Sequence, residues 1–225
     1  MKDFARRLST DFLSSLSQQD RAQLFAIGCK KSYAKDEMIF HVGSNSDDVS
    51  ILLDGRVKIY ELSAEGKEVI LWFCFTGEVF GLAEVLRREN REVNALACTP
   101  VDVLSIKHTD FQAFLRTHPD VSQLVIELLS GRLRELGDVL LNLASDDVTS
   151  RVIKLITRLG SRYGKTYDKG VFLDIPLTHQ EMADMIGTSR QTVTTVLGNL
   201  KKQGVLRTEQ RAIYIQNAEF FESIC

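Results

Sequence analysis

The chain has 225 residues, enough for one or two domains that each bury a core. It is 44% hydrophobic and 26% charged with a formal net charge of −2, the ordinary balance of a globular protein. No apolar run approaches membrane-spanning length and Met1 to Asp20 holds no secretory core, so a cytoplasmic protein with no membrane partner is expected.

Lys2 to Ile27 reads as helix, with Phe4, Leu8, Phe12, Leu13, Leu16, Leu24 and Phe25 set among polar residues. From Cys29 to about Lys107 the character changes to short apolar runs: Met38 to Phe40, Val49 to Leu53, Val57 to Leu62, Val69 to Phe75 and Val101 to Ile106. Gly43, Gly55, Gly66, Gly77 and Gly81 punctuate them, which predicts a small all-β barrel or jelly roll. Asp110 to Ala144 returns to helix. Within it Ile126, Leu129, Leu133, Leu136, Leu140 and Leu143 alternate spacings of three and four, a heptad seam. Such a stripe can pack on its own barrel, but a core-facing helix has a broader one, so the strict register favours a second copy of the chain and a homodimer. Asp146-Asp147 marks a hinge, after which Val148 to Leu159 is a further amphipathic helix leading to Tyr163–Leu173.

The most informative stretch is Thr178 to Gly204, which reads as two short helices joined by a tight turn. Thr178 and Glu181 make a capping box, Met182, Ala183 and Ile186 an apolar face, and Gly187 an exit. Ser189 caps a second helix in which Val193, Val196, Leu197 and Leu200 repeat on one face. Arg190, Gln191, Thr194 and Thr195 lie on the other face, with nothing apolar among them. A DNA recognition helix has this division: one face packed on its scaffold, the other offering hydrogen-bonding groups to base edges. A helical hairpin with a merely solvated face has the same pattern. The residues beyond Gly204 separate the two, because Val205-Leu206-Arg207 and Ala212 to Ile215 are strand-like runs around the polar Thr208 to Arg211, a wing. Charge agrees: Asp147 to Cys225 carries eleven Lys/Arg against eight Asp/Glu, net +3, and the preceding chain is net −5. The surplus is modest, so phosphate contacts must be placed rather than massed.

Taken together, the order of these parts resembles the CRP/FNR family of bacterial transcription regulators over nearly the whole chain. The resemblance is carried by Gly77-Glu78-Val79-Phe80-Gly81, by Asn142-Leu143-Ala144 through Asp147-Val148-Thr149-Ser150-Arg151, and by Gly187-Thr188-Ser189-Arg190-Gln191-Thr192-Val193. It implies an α+β chain: a cyclic-nucleotide-binding-like β-roll with an N-terminal helix over 1–118, a dimerisation helix over 119–146 and a winged helix-turn-helix over 147–225. It also implies double-stranded DNA and a second copy as partners, and RNA polymerase where the outcome is activation.

The family's effector pocket does not carry over intact. Cyclic-AMP-binding members hold the ribose with a Gly-Glu pair, where this chain has Gly81-Leu82, and the phosphate with an Arg-Ser pair, where it has Arg91-Glu92. Hydroxyls of the dimer helix meet the adenine in those members; Leu136 and Gly137 stand there. A carboxylate at Glu92 repels a phosphate and neutralises Arg91, so cyclic AMP is disfavoured and Arg91–Glu92 reads as a surface or structural pair. Iron–sulfur members carry an N-terminal cysteine cluster, and Met1 to Gly28 holds no Cys. Carbon-monoxide-sensing haem members use a Cys and a nearby His in the roll, where this chain has Gly81-Leu82-Ala83. Cys29, Cys74, Cys98 and Cys225 form no CxxC pair, so no zinc knuckle or disulfide framework is indicated, with Cys74 and Cys98 as a lesser redox alternative. His41, His108, His118 and His179 are conceivable ligands but read as surface or hydrogen-bonded residues. No metal site, GxSxG elbow or P-loop supports an enzyme, which leaves a sensor of unidentified signal or a DNA-binding dimer needing none.

For DNA, Arg190 suits guanine O6/N7 and Gln191 suits adenine N6/N7, whereas Thr195 replaces a family Arg and removes a long donor. Ser189 and Thr192 are expected to position phosphates, with Lys201, Lys202 and Arg207 on the backbone.

Overall fold

The computed structural model describes residues 11–87, 89–167, 170–173, 175–209 and 212–222. It forms two compact units, one ending at Gly131 and the other beginning at Arg132, so the division falls inside one long helix.

The first unit opens with α1 (Phe12–Ser15) and α2 (Gln18–Ile27). The single helix expected over Lys2 to Ile27 is therefore broken; its first nine residues lie outside the described ones. The break has a local cause: Leu16 is extended at ψ 147 and the Ser17 hydroxyl accepts from the Asp20 N–H, starting a new helix. Strands β1 (Cys29–Tyr33), β2 (Met38–Phe40), β3 (Asp48–Asp54), β4 (Arg56–Leu62), β5 (Glu68–Phe75) and β6 (Val79–Phe80) come next. Then come α3 (Leu82–Arg87), β7 (Asn94–Ala97) and β8 (Val101–Lys107). Two antiparallel sheets, ordered β1-β8-β3-β6 and β2-β7-β4-β5, make the roll. All five punctuating glycines have positive φ, from 73° at Gly81 to 96° at Gly55. At Gly55, between β3 and β4, a Cβ would also stand 2.5 Å from the Pro100 carbonyl oxygen.

β3 and β8 are nearly continuous apolar runs because both of their faces are covered. Leu52 and Val103 join Val57, Ile59, Cys74 and Phe80 inside the roll, whereas Val49, Ile51, Leu104 and Ile106 meet Phe12, Leu24, Phe111 and Phe114 of the helices. The helix expected over Asp110 to Ala144 is in fact two, α4 (His108–Thr117) and α5 (Pro119–Ser145). Pro119 has no N–H to continue α4 and forces the residue before it out of the helical region, and His118 sits at φ −128, ψ 78. The pattern of apolar runs does not anticipate β1, β6 or β7.

In the second unit the end of α5 leads to α6 (Val148–Tyr163), whose first turn is capped by Asp147 accepting from the Ser150 N–H at 2.7 Å. After it come β9 (Lys165–Tyr167), β10 (Gly170–Leu173), α7 (His179–Ile186), α8 (Arg190–Lys202), β11 (Leu206–Glu209), β12 (Ala212–Ile215) and α9 (Ala218–Glu222). The wing is larger than a hairpin: its sheet is ordered β11-β12-β10-β9. Thr208 and Glu209, expected in the turn, pair with Ile213 and Ala212 as the end of β11. Ile153, Leu155, Ile156, Met182, Val193, Leu197, Leu206 and Ile215 are buried and form the core on which α7 and α8 rest.

Candidate functional site

The helix-turn-helix is assembled from the local signals in its sequence. The Thr178 hydroxyl accepts from the Glu181 N–H at 3.1 Å, and the Glu181 carboxylate accepts from the Thr178 N–H at 2.7 Å, closing the capping box. Gly187 leaves α7 in the left-handed region at φ 65. The Ser189 hydroxyl then accepts from the Thr192 N–H at 3.1 Å and caps α8. Val193, Val196, Leu197 and Leu200 are buried, and Arg190, Gln191, Thr194 and Thr195 are exposed. Lys201 and Lys202 are exposed in the last turn, where cations complement the helix dipole.

The hydroxyls on this face are less available than the sequence suggests. Thr194 Oγ1 donates to the Arg190 carbonyl at 2.9 Å, and Thr195 Oγ1 donates to the Gln191 carbonyl at 3.1 Å. Ser189 and Thr192 hydroxyls lie 2.8 Å apart, one bonded to the other. Arg190 and Gln191 are thus the long outward donors of the first turns of α8. His179, by sequence only a conceivable ligand, is the first residue of α7; its Nδ1 lies 2.7 Å from Thr194 Oγ1, at the edge of the same face. Burial, then the cations of Lys201 and Arg190, hold its imidazole below the ordinary pKa of 6.5. On the wing, Arg207 lies 4.3 Å above the Tyr214 ring and is hydrogen-bonded to Glu209, which restrains a side chain expected on the DNA backbone.

Along α5 the heptad seam is largely unburied. Ile126, Leu133, Leu136, Leu140 and Leu143 are 42–73% exposed, and so is Leu141 at 66%, which the strict register omits. Leu129 departs from the seam, being partly buried against the helical core of the roll unit. Leu143 reaches toward the turn of the reader, its Cδ2 3.5 Å from where a Cβ on Gly187 would stand. Glu135, one residue before Leu136, pairs with Arg162 at 2.7 Å, Arg132 at 3.3 Å and Arg158 at 3.4 Å, tying α5 to α6. Burial works against its ionisation, but the Arg162, Arg132 and Arg158 guanidiniums and the Arg162 hydrogen bond outweigh it and lower its pKa.

The arginine of the roll overturns the expected Arg91–Glu92 pair. Arg91 is buried, at 2% exposure, whereas Glu92 is exposed. Arg91 Nη1 donates to the Gly81 carbonyl at 3.0 Å, and Nη2 donates to the Asp48 carbonyl at 2.5 Å and its Oδ1 at 3.1 Å. Glu84 Oε2 lies 3.6 Å from Nη1, and the guanidinium stacks 4.1 Å from the Phe40 ring centroid. A Cβ at Gly81 would meet Nη1 at 2.6 Å, so glycine there makes room for the arginine. Asp48 is held in turn by the Ser105 hydroxyl at 2.5 Å and Lys31 at 2.9 Å. Those two contacts and the Arg91 charge outweigh its burial and lower its pKa. Leu82 faces the helical core, and Ala83 is exposed. Leu136 and Gly137 stand on α5, with open space around Gly137 among the described residues.

The redox alternative fails on register. Val57 of β4 pairs with Cys74 on one side and with Ala97, the neighbour of Cys98, on the other, so a whole strand separates the two cysteines. Two strand spacings come to about 9.5 Å, beyond disulfide reach. His118 is held by its surroundings, stacked on Phe114 at 3.9 Å with Nδ1 2.8 Å from the Phe114 carbonyl oxygen. No His, Cys, Asp and Glu cluster able to hold a metal occurs among the described residues, and none of their helices is long and apolar enough to cross a membrane.

Residues 30–118 match the cyclic nucleotide-binding domain family, and residues 150–224 match the Crp-like helix-turn-helix domain family. The global nitrogen regulator of Synechocystis sp. is 30% identical over 189 residues, 83% of this chain and 84% of that protein. The CRP-like cAMP-activated global transcriptional regulator of Mycobacterium tuberculosis is 26% identical over 83% of this chain and 84% of its own. Among solved structures, a CooA variant from Carboxydothermus hydrogenoformans superposes with a TM-score of 0.80 at 21% identity, covering 98% of both chains.

Proposed function

The chain belongs to the CRP/FNR family of bacterial transcription regulators, and we propose that it acts as a homodimer whose two α8 helices read a two-fold symmetric operator. Regulators of this family bind DNA and act as dimers, and they are not enzymes. The observation that carries the reading is the division of α8 into a buried apolar face and an exposed face led by Arg190 and Gln191. Arg190 is assigned to the O6/N7 edge of a guanine and Gln191 to an adenine, with Ser189, Thr192, Thr194, Lys201, Lys202 and Arg207 on or near the backbone. Thr195 offers the groove its methyl group rather than its hydroxyl. The seam of α5 is assigned to the dimer contact, and half-sites then lie about one helical turn, roughly 34 Å, apart. RNA polymerase is a further partner where the outcome is activation.

The roll is assigned a role without cyclic AMP. A cyclic phosphate at Arg91 has to displace Asp48 and Glu84 from a guanidinium already neutralised and buried. This favours a dimer that binds DNA with no cyclic nucleotide, or one whose roll senses a different signal. Selection of bound sequences from random duplex DNA by purified protein tests both levels. A palindromic consensus, unchanged when cyclic AMP is added, is the expected outcome. Weak, salt-sensitive and unselective binding that cyclic AMP sharpens overturns the reading of the roll.

A further inference from the structure

Thr194 has one hydroxyl hydrogen, and it is committed to the Arg190 carbonyl at 2.9 Å. With that hydrogen on the carbonyl, the 2.7 Å contact between Thr194 Oγ1 and His179 Nδ1 uses a hydrogen of the imidazole. In that arrangement the neutral ring is the Nδ1–H tautomer, with a bare lone pair on Nε2. Nε2 can donate only after the ring takes up a second proton.

The position of the ring gives that proton a use. His179 begins α7 and flanks the exposed Arg190–Thr194 side of α8. When α8 lies in a major groove about 12 Å wide, groups on its flank face the sugar–phosphate walls rather than the base edges. We propose that His179 is a proton-gated phosphate contact: the protonated ring donates from Nε2 to a backbone phosphate, the neutral ring does not, and DNA binding takes up a proton. This rests on the reading of α8 as the recognition helix.

The charged groups around the ring favour such a gate. Arg190 and Lys201 of α8 add to burial in keeping the free protein's imidazole neutral, and Glu181 on its own helix is occupied by the Thr178 N–H. A phosphate at Nε2 reverses the balance by adding a negative charge and an acceptor. With the pKa higher in the complex than in the free protein, affinity rises as pH falls. The window opens near the bound pKa and closes at the free value, which lies below 6.5. Within it, binding strengthens by up to about tenfold per pH unit.

The test is the Kd of the full-length protein for a selected operator and for an unrelated duplex, read by fluorescence anisotropy from about pH 8 to about pH 5.5. Wild type is expected to tighten by about three- to tenfold on both duplexes as pH falls, since phosphates are common to both. His179→Gln is expected to be flat, because its amide donates at every pH. Thr194→Val is expected to be shallower, because the freed ring can carry its one hydrogen on Nε2. A His179→Gln profile that tracks wild type overturns the gate while leaving the recognition helix intact. An Arg190→Ala, Gln191→Ala double variant that still prefers the operator to the unrelated duplex overturns the recognition helix itself, and the gate with it. Should His179→Gln fail to fold, NMR titration of His179 in the wild type decides: a pKa that rises on adding duplex supports the gate, and an unchanged one overturns it.

Discussion

Arg91 and Arg190 are the same side chain in opposite surroundings. Arg91 lies inside the roll, its guanidinium shared among Asp48, Glu84, the Gly81 carbonyl and the face of Phe40. Arg190 stands on the exposed face of α8, where the adjacent hydroxyls are turned back on the helix. A buried cation must be neutralised by the chain that buries it, so it is part of the fold and is closed to a visiting anion. An exposed one keeps its hydration at little cost and can exchange it for a base edge. In this protein the arginine of the roll is already paired within the chain, whereas the arginine of the reader faces outward.

Substitutions can break that contrast at either end. The largest effect is expected for Arg91→Ala, which takes the buried cation from Glu84, leaves Asp48 to Lys31 and Ser105, and opens a gap beside Phe40. Unfolding by urea should show a loss of about 3–5 kcal/mol. An Arg91→Ala protein of unchanged stability would mean that the arginine is a ligand group after all. Arg190→Ala should leave the urea midpoint in place and weaken operator binding by about 1–3 kcal/mol, with preference flattened at one base pair. Retained discrimination there would remove Arg190 from base reading.

Acid sharpens the comparison with a smaller effect. Asp48 and Glu135 both have folded pKa values lowered from 3.8 and 4.5. Their contribution to stability is therefore complete above those ordinary values and is lost as pH falls through the lower folded ones. Thermal scans of wild type and Glu135→Gln should show a gap near neutral pH that narrows below about pH 4. A gap independent of pH would mean that the Arg132, Arg158 and Arg162 cluster does not act through the charge of Glu135.

The reader is legible almost residue by residue because its signals are local. Thr178 with Glu181, Gly187 at φ 65 and Ser189 each act within four residues of chain, and all three form as their sequence predicts. The strands with apolar runs are legible for the same reason. β1 is not, because Cys-Lys-Lys-Ser-Tyr has little to bury and is held by pairing with β8 from Cys29↔Ser105 to Tyr33↔Val101. The fate of Arg91 is hidden for a further reason. Its partner Asp48 lies 43 residues away, and nothing in Arg91-Glu92 tells which of two adjacent charges turns inward. Pro119 is a different case: its effect on His118 is a local rule, and the unbroken run of apolar spacing across it masks the stop.

The row of bare leucines on α5 also bears on how the amount of DNA-reading protein follows the amount of chain. Leu133, Leu140 and Leu141 are 66–73% exposed on a single chain, an apolar strip of the kind that a soluble protein covers. With that strip as the seam, the form that reads DNA contains two chains. Its concentration grows as the square of the single chain's while most chains remain single. A twofold rise in synthesis then gives about a fourfold rise in the DNA-reading species. On that reading gene dosage is a steep input for as long as most chains remain single.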